Sequence, residues 1–353
     1  MSDTRERYDV LDGLRGLCAL AVLTLHYCEA YRVSGLVPHS HLAVEYFLTL
    51  TGFTFVLAYD GRWASGGLTL GRFLWRRFVR LWPVVLIGSV IGLLYCFTRT
   101  VDFAGTSRDP LGLVGLFLYA LTMLPHSGPF IAPMQPQTWT LLYIIYVNLL
   151  YAFLLRHLKT WMLGLAAVAA AGYSFWVAST YFSYEAGWTL KNRHVTIACA
   201  RVLFPALAGM FLARLRWKLS FRGAGVVATV LLGFLLFSPT FGLRGVAAGR
   251  CEFLMVLLGM PLVLLCGCGG KVPEGRFAAF CRFLGKFSFP LYVTHWPFRI
   301  SLGTWIADHP YATFAQNLST VVAYVVGALA LAYLSMKAAD ALVNLLTGRS
   351  LKS

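Results

Sequence analysis

Apolar runs of roughly 17 to 25 residues recur from one end of the chain to the other, the length an α-helix needs to cross a bilayer core. Composition agrees with that constraint. Of 353 residues, 58% are hydrophobic and only 12% charged, and the mean hydropathy is +0.69. A soluble protein of this length carries roughly twice that charged fraction. The expected fold is an all-α, multi-pass integral membrane protein, one membrane domain over residues 1–353 with no soluble domain.

The expected spans are about 10–29, 42–59, 77–97, 138–155, 162–180, 197–213, 223–237, 252–268, 283–306 and 314–336. A further run, LGLVGLFLYALTMLP at 111–125, is short for a crossing. The basic residues arbitrate. If 111–125 stays re-entrant or interfacial, ten helices cross with both termini inside. Arg5 and Arg7, the Arg62–Arg80 cluster, Arg156 with Lys159, Arg214–Arg222, Lys271–Lys286, and Lys337 with Arg349 and Lys352 then all face the cytoplasm. The outer loops keep few basic residues, several beside acids, such as Arg108 with Asp109. If it crosses, as an eleventh span, every later basic cluster falls outside, against the positive-inside bias. The net charge of +16 is distributed among these loops and forms no single patch, so nucleic acid is not an expected partner. The bilayer is. MSDTRERYD shows no cleavable signal pattern, and the scattered cysteines suggest neither disulfides nor a metal site.

Ionisable residues inside spans are the candidates for function. In LDGLRGLCALAVLTLHY, Arg15 and His26 are eleven residues apart. That is three turns plus about 20°, so both occupy one helix face, separated along the axis by about 16 Å. Snorkelling of Arg15, or pairing with Asp12, is the plain alternative. Glu45 opens the next span at the depth of His26, where a carboxylate can orient a histidine base. In FLWRRFVRLWP, Arg77 and Arg80 lie one turn apart and suit a phosphate ligand, with Arg76 beside them. In FLGKFSFPLYVTHWPF, Ser288, Tyr292 and His295 share one span, which Pro290 and Pro297 are expected to kink. A basic entrance, a polar path and a histidine paired with a carboxylate suit group transfer from a phosphate-bearing donor to a hydroxyl on the far side. The rival reading is a proton-coupled carrier of an anionic or sugar-like molecule.

These segments, in this order, resemble acyltransferase family 3, the bacterial membrane acyltransferases that modify polysaccharides and other hydroxylated acceptors. YDVLDGLRGLCALAVLTLH is similar to the family's opening signature, and VEYFLTLTGF to its acidic–aromatic–SGF segment with Thr51 for serine. RFVRLWP, TWTL (138–141), ARVLFPALAGMFL and FLGKFSFPLYVTHWP follow. The resemblance implies an acyl-CoA donor, usually acetyl-CoA, taken from the cytoplasm, and O-acylation of a carbohydrate or lipid-linked sugar at the outer face of a bacterial inner membrane. It implies Arg15, Arg76, Arg77 and Arg80 as donor ligands and His26 as the base or transient acyl carrier, oriented by Glu45. Trp139, Ser288, Tyr292 and His295 become lining residues. The family often has a glutamate where this chain has Ile144, which leaves the acceptor class open.

Overall fold

The computed structural model describes residues 7–99 and 109–348, with side chains at all of these except Arg99 and Asn192. Arg5, Arg108, Arg349 and Lys352, which entered the charge-bias argument, lie outside the described residues. Those described fold into helices and short connections, with no strand among them. The helices are α1 (Asp9–Ala30), α2 (Ala43–Ala64), α3 (Leu70–Arg99), α4 (Pro110–Leu121), α5 (Trp139–Phe153), α6 (Thr160–Tyr181) and α7 (Asn192–Leu215). After these come α8 (Ala224–Phe237), α9 (Gly245–Leu254), α10 (Met260–Gly269), α11 (Arg276–Thr294), α12 (Trp296–Asp308) and α13 (Phe314–Thr347). One π turn, Met255–Gly259, joins α9 to α10 in a continuous rod.

Among the described residues, seven helical stretches are long and apolar enough to cross a membrane: α1, α2 with its preceding turn, α3, α6, α7, the α9–α10 rod and α13. The three other expected spans take different forms. α5 has 15 residues and α8 has 14, giving rods of about 21–23 Å against a hydrocarbon core of about 30 Å. The third, expected over 283–306, is two helices, α11 and α12, separated at His295. The 111–125 run, expected to be re-entrant or interfacial, falls largely in α4, which at 12 residues is shorter still.

The break at His295 follows from Pro297. Proline has no N–H to offer the carbonyl four residues back, and its ring crowds that carbonyl. The freed carbonyl is that of Val293, and Gln137 Nε2, just ahead of α5, donates to it at 2.5 Å. The kink therefore becomes an attachment point for the α5 entry. Pro290, inside α11, bends no break into the helix.

Small residues let the helices approach closely, the usual solution where lipid offers no hydrophobic drive between helices. α2 and α7 run parallel and touch backbone to backbone. A methyl on Gly52 would strike the Ala206 carbonyl, and one on Gly209 the Thr49 carbonyl. α1 and α11 also pack closely, each glycine receiving a side chain of the facing helix: Gly13 that of Cys281, Gly16 that of Leu284, and Gly285 that of Asp12. At helix ends the local chemistry is ordinary. Asp9 and Asp12 sit in the first turn of α1, where the helix dipole favours negative charge. Thr313 and Gln316 form a capping box on α13.

Gly209→Val places two methyls into the Thr49 backbone. Overpacking of this kind costs about 1–3 kcal/mol, so the variant is expected to melt earlier in detergent than wild type. Gly233→Val, where a Cβ meets nothing within 4 Å, is expected to melt with it.

Candidate active site

The first candidate is a cavity of about 790 Å³ between α1, α2, α3, α5, α11 and α13. It opens at the N-terminal end of α1. Arg15, Arg76, Arg77 and Arg80 all line it, joined by Arg7, Arg282 and Lys286, against the acids Asp12 and Asp340. The four arginines singled out from sequence thus converge on one space. Arg77 is 9% exposed, its guanidinium lies 4.6 Å over the Phe55 ring, and its Nε has no hydrogen-bond partner among the described residues. The Arg15–Asp12 contact is long, at 3.8 Å. Other charges at the mouth are already paired: Lys286 Nζ with Asp340 at 2.6 Å, and Arg282 with Asp9 at 3.3 Å and Glu274 at 3.1 Å. The mouth keeps an excess of positive charge, which an anion can satisfy.

Ser288 and Tyr292 line the same cavity, but their hydroxyls are committed to the fold. Ser288 Oγ donates to the Gly285 carbonyl at 2.8 Å. Tyr292 Oη donates to the Gln137 carbonyl at 2.5 Å and lies 3.0 Å from Thr140 Oγ1. Together with the Gln137–Val293 bond, these contacts clamp α11 to the start of α5. Ile144 also lines this cavity. This position is apolar, and Asn148, one turn on, leaves Oδ1 buried without a partner among the described residues.

The histidines lie beyond the inner end. Neither His26 nor His295 is among the cavity walls. One aromatic layer separates them from it: Phe47 and Tyr292, with centroids 6.1 Å apart, form the boundary, and the Tyr292 ring is 6.3 Å from His295. His295 stacks on His26 at 5.2 Å and 16°. Trp296 meets His26 edge-on at 5.2 Å.

Hydrogen bonding assigns the ring nitrogens. His26 Nδ1 is 2.8 Å from Glu29 Oε2, so in the neutral ring the proton sits on Nδ1 and Nε2 keeps its lone pair. His295 Nδ1 faces the Leu291 carbonyl at 3.1 Å and must donate to it. Its Nε2 is buried with no partner among the described residues. Trp296 Nε1 and Arg299 Nε are also buried and unpartnered among them. Buried polar groups are nearly always satisfied, so this cluster of unpartnered atoms has the character of a place prepared for a polar ligand.

Glu45 does not hold His26. The two share a depth, as their places in α1 and α2 require, but Glu45 faces α7. Its carboxylate receives Arg201 Nε at 2.5 Å and Nη2 at 3.2 Å, in a bidentate pair with Glu45 at 0% and Arg201 at 3% side-chain exposure. The α2 helix presents residue 45 to the Gly52–Gly209 seam, and Glu29 is left to orient His26. Trp139 belongs to the same cluster as Arg201, its ring 5.1 Å beneath the guanidinium, and lies outside the cavity wall. Arg201 also donates to the carbonyls of Ala186 and His41. His41 Nε2 is 3.2 Å and His39 Nδ1 3.5 Å from Glu252 Oε1.

Sequence reading therefore missed Glu29, Gln137, Arg201, Trp296 and Arg299. Glu29 was visible as an i, i+3 partner of His26. Arg201 was visible as a charge in mid-span. Nothing local marks Gln137, whose role depends on a carbonyl exposed by a proline far along the chain. Among the described residues, no cluster of His, Cys, Asp and Glu could hold a metal ion.

Comparison with known proteins matches residues 8–337 to a family model described as an acyltransferase domain, that of acyltransferase family 3. The chain is also 30% identical, over 161 residues, to "Protein 2 in picA locus" of Rhizobium radiobacter, a match covering 42% of this chain and 82% of that relative. No solved structure matches significantly.

Removing one partner of a buried ion pair leaves an uncompensated charge and costs about 3–5 kcal/mol. Glu45→Gln and Arg201→Met are each expected to lose most of their folded yield and melt well below wild type in detergent. The double substitution Glu45→Leu with Arg201→Met is expected to recover part of that loss. Melting curves of the three variants check this.

Proposed function

We propose, from the premise that the chain belongs to acyltransferase family 3, that it moves an acyl group, acetyl in the simplest case, from acyl-CoA to a hydroxyl of a carbohydrate or lipid-linked sugar across the bacterial inner membrane. The observation that carries this reading is that one aromatic layer, Phe47 with Tyr292, separates a cationic cavity from the stacked pair His26 and His295. The cavity is lined by the four arginines, and His26 is held through Nδ1 by Glu29, which leaves Nε2 to act as the base.

In this reading Arg15, Arg76, Arg77 and Arg80 bind the phosphates of the donor. Guanidinium groups suit that task because each can give two parallel hydrogen bonds to one phosphate. The cavity's lining runs from these arginines to Phe47 and Tyr292, a route for the pantetheine arm. Tyr292 is fixed by Gln137 and Thr140, whereas Phe47 makes only ring and apolar contacts. Phe47 is the ring that moves to let the thioester reach His26.

The acceptor enters from the other side, where Trp296 offers a face and Trp296 Nε1, Arg299 Nε and His295 Nε2 offer unused hydrogen bonds. Indole plus convergent polar groups is a surface fit for a polyhydroxylated ligand. His26 Nε2 takes the proton from the acceptor hydroxyl as its oxygen bonds to the thioester carbonyl. The carbon–sulfur bond then breaks, and the departing thiolate takes the proton back from His26. Glu29 holds the ring and stabilises the imidazolium between the two steps. Family membership favours this enzyme over the carrier reading.

The test is thiol release from acetyl-CoA by purified protein in nanodiscs, alongside donor binding by calorimetry. His26→Ala is expected to lower thiol release by about 10²–10⁴-fold with donor binding retained. Arg77→Ala is expected to weaken donor binding by about 10- to 100-fold, the worth of a charge-assisted hydrogen bond. Phe47→Ala is expected to raise turnover of butyryl- relative to acetyl-CoA. A folded wild type that neither binds acyl-CoA nor releases thiol overturns the reading.

A further inference from the structure

A second cavity, about 820 Å³ in volume, lies apart from the first, on the opposite side of α1. Its size is within the range of small-molecule sites, about 300–1,000 Å³. The floor is Val10, Gly13, Leu14 and Leu17 of α1. One wall is the start of α8 and the other is α11 from Phe277 to Leu284. The walls are apolar. At the rim stand two cations, Arg222 and Lys271, and no carboxylate lines the space. Both are exposed, and neither makes an ion pair among the described residues, while nearby Arg282 is held by Asp9 and Glu274.

The two cations are placed by the backbone. Leu219 N–H donates to the Leu265 carbonyl at 3.0 Å, tying the segment before α8 to the end of α10. Gly269 packs against the Leu219 carbonyl, and Gly270 lies so close to Gly225 that a Cβ would come within 2.8 Å of its backbone. Lys271 follows Gly270 directly. Arg222 precedes Gly223, whose φ of +88° is a left-handed conformation natural to glycine. Two loops remote in sequence are thus locked together so that one cation from each stands at the same mouth.

We propose that this groove is a binding site for one anionic glycerophospholipid of the leaflet facing the chain's N-terminus. Its phosphate sits between Arg222 and Lys271, and an acyl chain lies along α1 between α8 and Phe277 and Phe280. Charge complementarity selects this occupant. A zwitterionic lipid brings its own cation to a mouth that has no acid to receive it, whereas a headgroup with net negative charge satisfies both side chains. Basic clefts between membrane helices next to the headgroup layer bind anionic lipids on this principle. The site shares no lining residue with the donor cavity, so it stands or falls independently of the proposed reaction.

The test is native mass spectrometry of the full chain in detergent, titrated with phosphatidylglycerol and separately with phosphatidylcholine. Wild type is expected to retain one phosphatidylglycerol at least about tenfold more tightly than phosphatidylcholine. The double variant Arg222→Ala with Lys271→Ala, whose exposed side chains leave the fold intact, is expected to lose that preference. Val230→Trp, on the exposed apolar wall, is expected to weaken both lipids by filling the trough while keeping the cations. Arg76→Ala with Arg80→Ala, in the other cavity, is expected to leave the preference unchanged. Equal retention of the two lipids by wild type overturns the proposal. So does a preference that survives loss of Arg222 and Lys271, or one that disappears with Arg76 and Arg80.

Discussion

The pair between Glu45 and Arg201 is the contact on which the rest of the interior depends. A carboxylate with no exposure and a guanidinium with almost none persist inside an apolar bundle only because each satisfies the other and the remaining donors find carbonyls. Those carbonyls, of Ala186 and His41, belong to two different loops, so the same guanidinium pins both to the bundle. At the other end of the two helices Arg214 Nε meets Asp60 at 2.8 Å, and Tyr151 donates to the same carboxylate. The two pairs are about 22 Å apart along α2, with the Gly52–Gly209 crossing between them. A parallel helix pair fixed at both ends and pressed together in the middle cannot slide. It supplies the wall from which Phe47, Thr51 and Phe55 face the cationic cavity.

Rigidity on that side contrasts with how α11 is held. Pro297 interrupts the helix and strips Val293 of its partner, and the structure answers with Gln137. Tyr292 is held to the same turn by its own hydroxyl. The result is a histidine delivered at a helix break, beside the end of α1, with its side chain oriented by the last helical turn. An unbroken helix would continue past this level, leaving Trp296 and Arg299 elsewhere on its surface. The proline thus converts a continuous rod into a platform for a polar cluster.

How much of this was legible in sequence depends on how local each cause is. The arginines were legible because positive charges at the end of an apolar run must find either water or an anion, and four of them in two segments converge on one cavity. The stretches 10–29, 42–59 and 314–336 were legible because hydropathy over twenty residues is a sum. Hydropathy does not separate a 15-residue helix with an irregular entry from a full crossing, which is why 138–155 reads as a span and folds as the shorter rod Trp139–Phe153, whereas 223–237 is helical over Ala224–Phe237, nearly its whole expected length. The partner of His26 was misread for a geometric reason. Depth in the membrane can be estimated from position in a helix, but rotation of α2 about its axis is set by the glycine seam with α7, and that seam turns Glu45 away. Glu29 needs no tertiary information at all, since it is one turn from His26 on the same helix.

The cationic cavity, the histidine pair and the aromatic layer between them also bear on why such an interior is tolerable in a membrane. A continuous polar channel from one side to the other would leak protons and ions. Here the cavity that Arg15, Arg76, Arg77 and Arg80 line does not include His26 or His295: Phe47 and Tyr292 lie between, and Tyr292 is held by Gln137 and Thr140 through its hydroxyl. Passage then requires displacement of the Phe47 ring by something that enters from the cationic side and fills the gap it opens. In the reaction proposed above, a thin acyl thioester would fill that gap and keep the layer sealed against water. The aromatic layer would then give the same residues two roles, as insulation when the donor is absent and as the reacting group's collar when it is present.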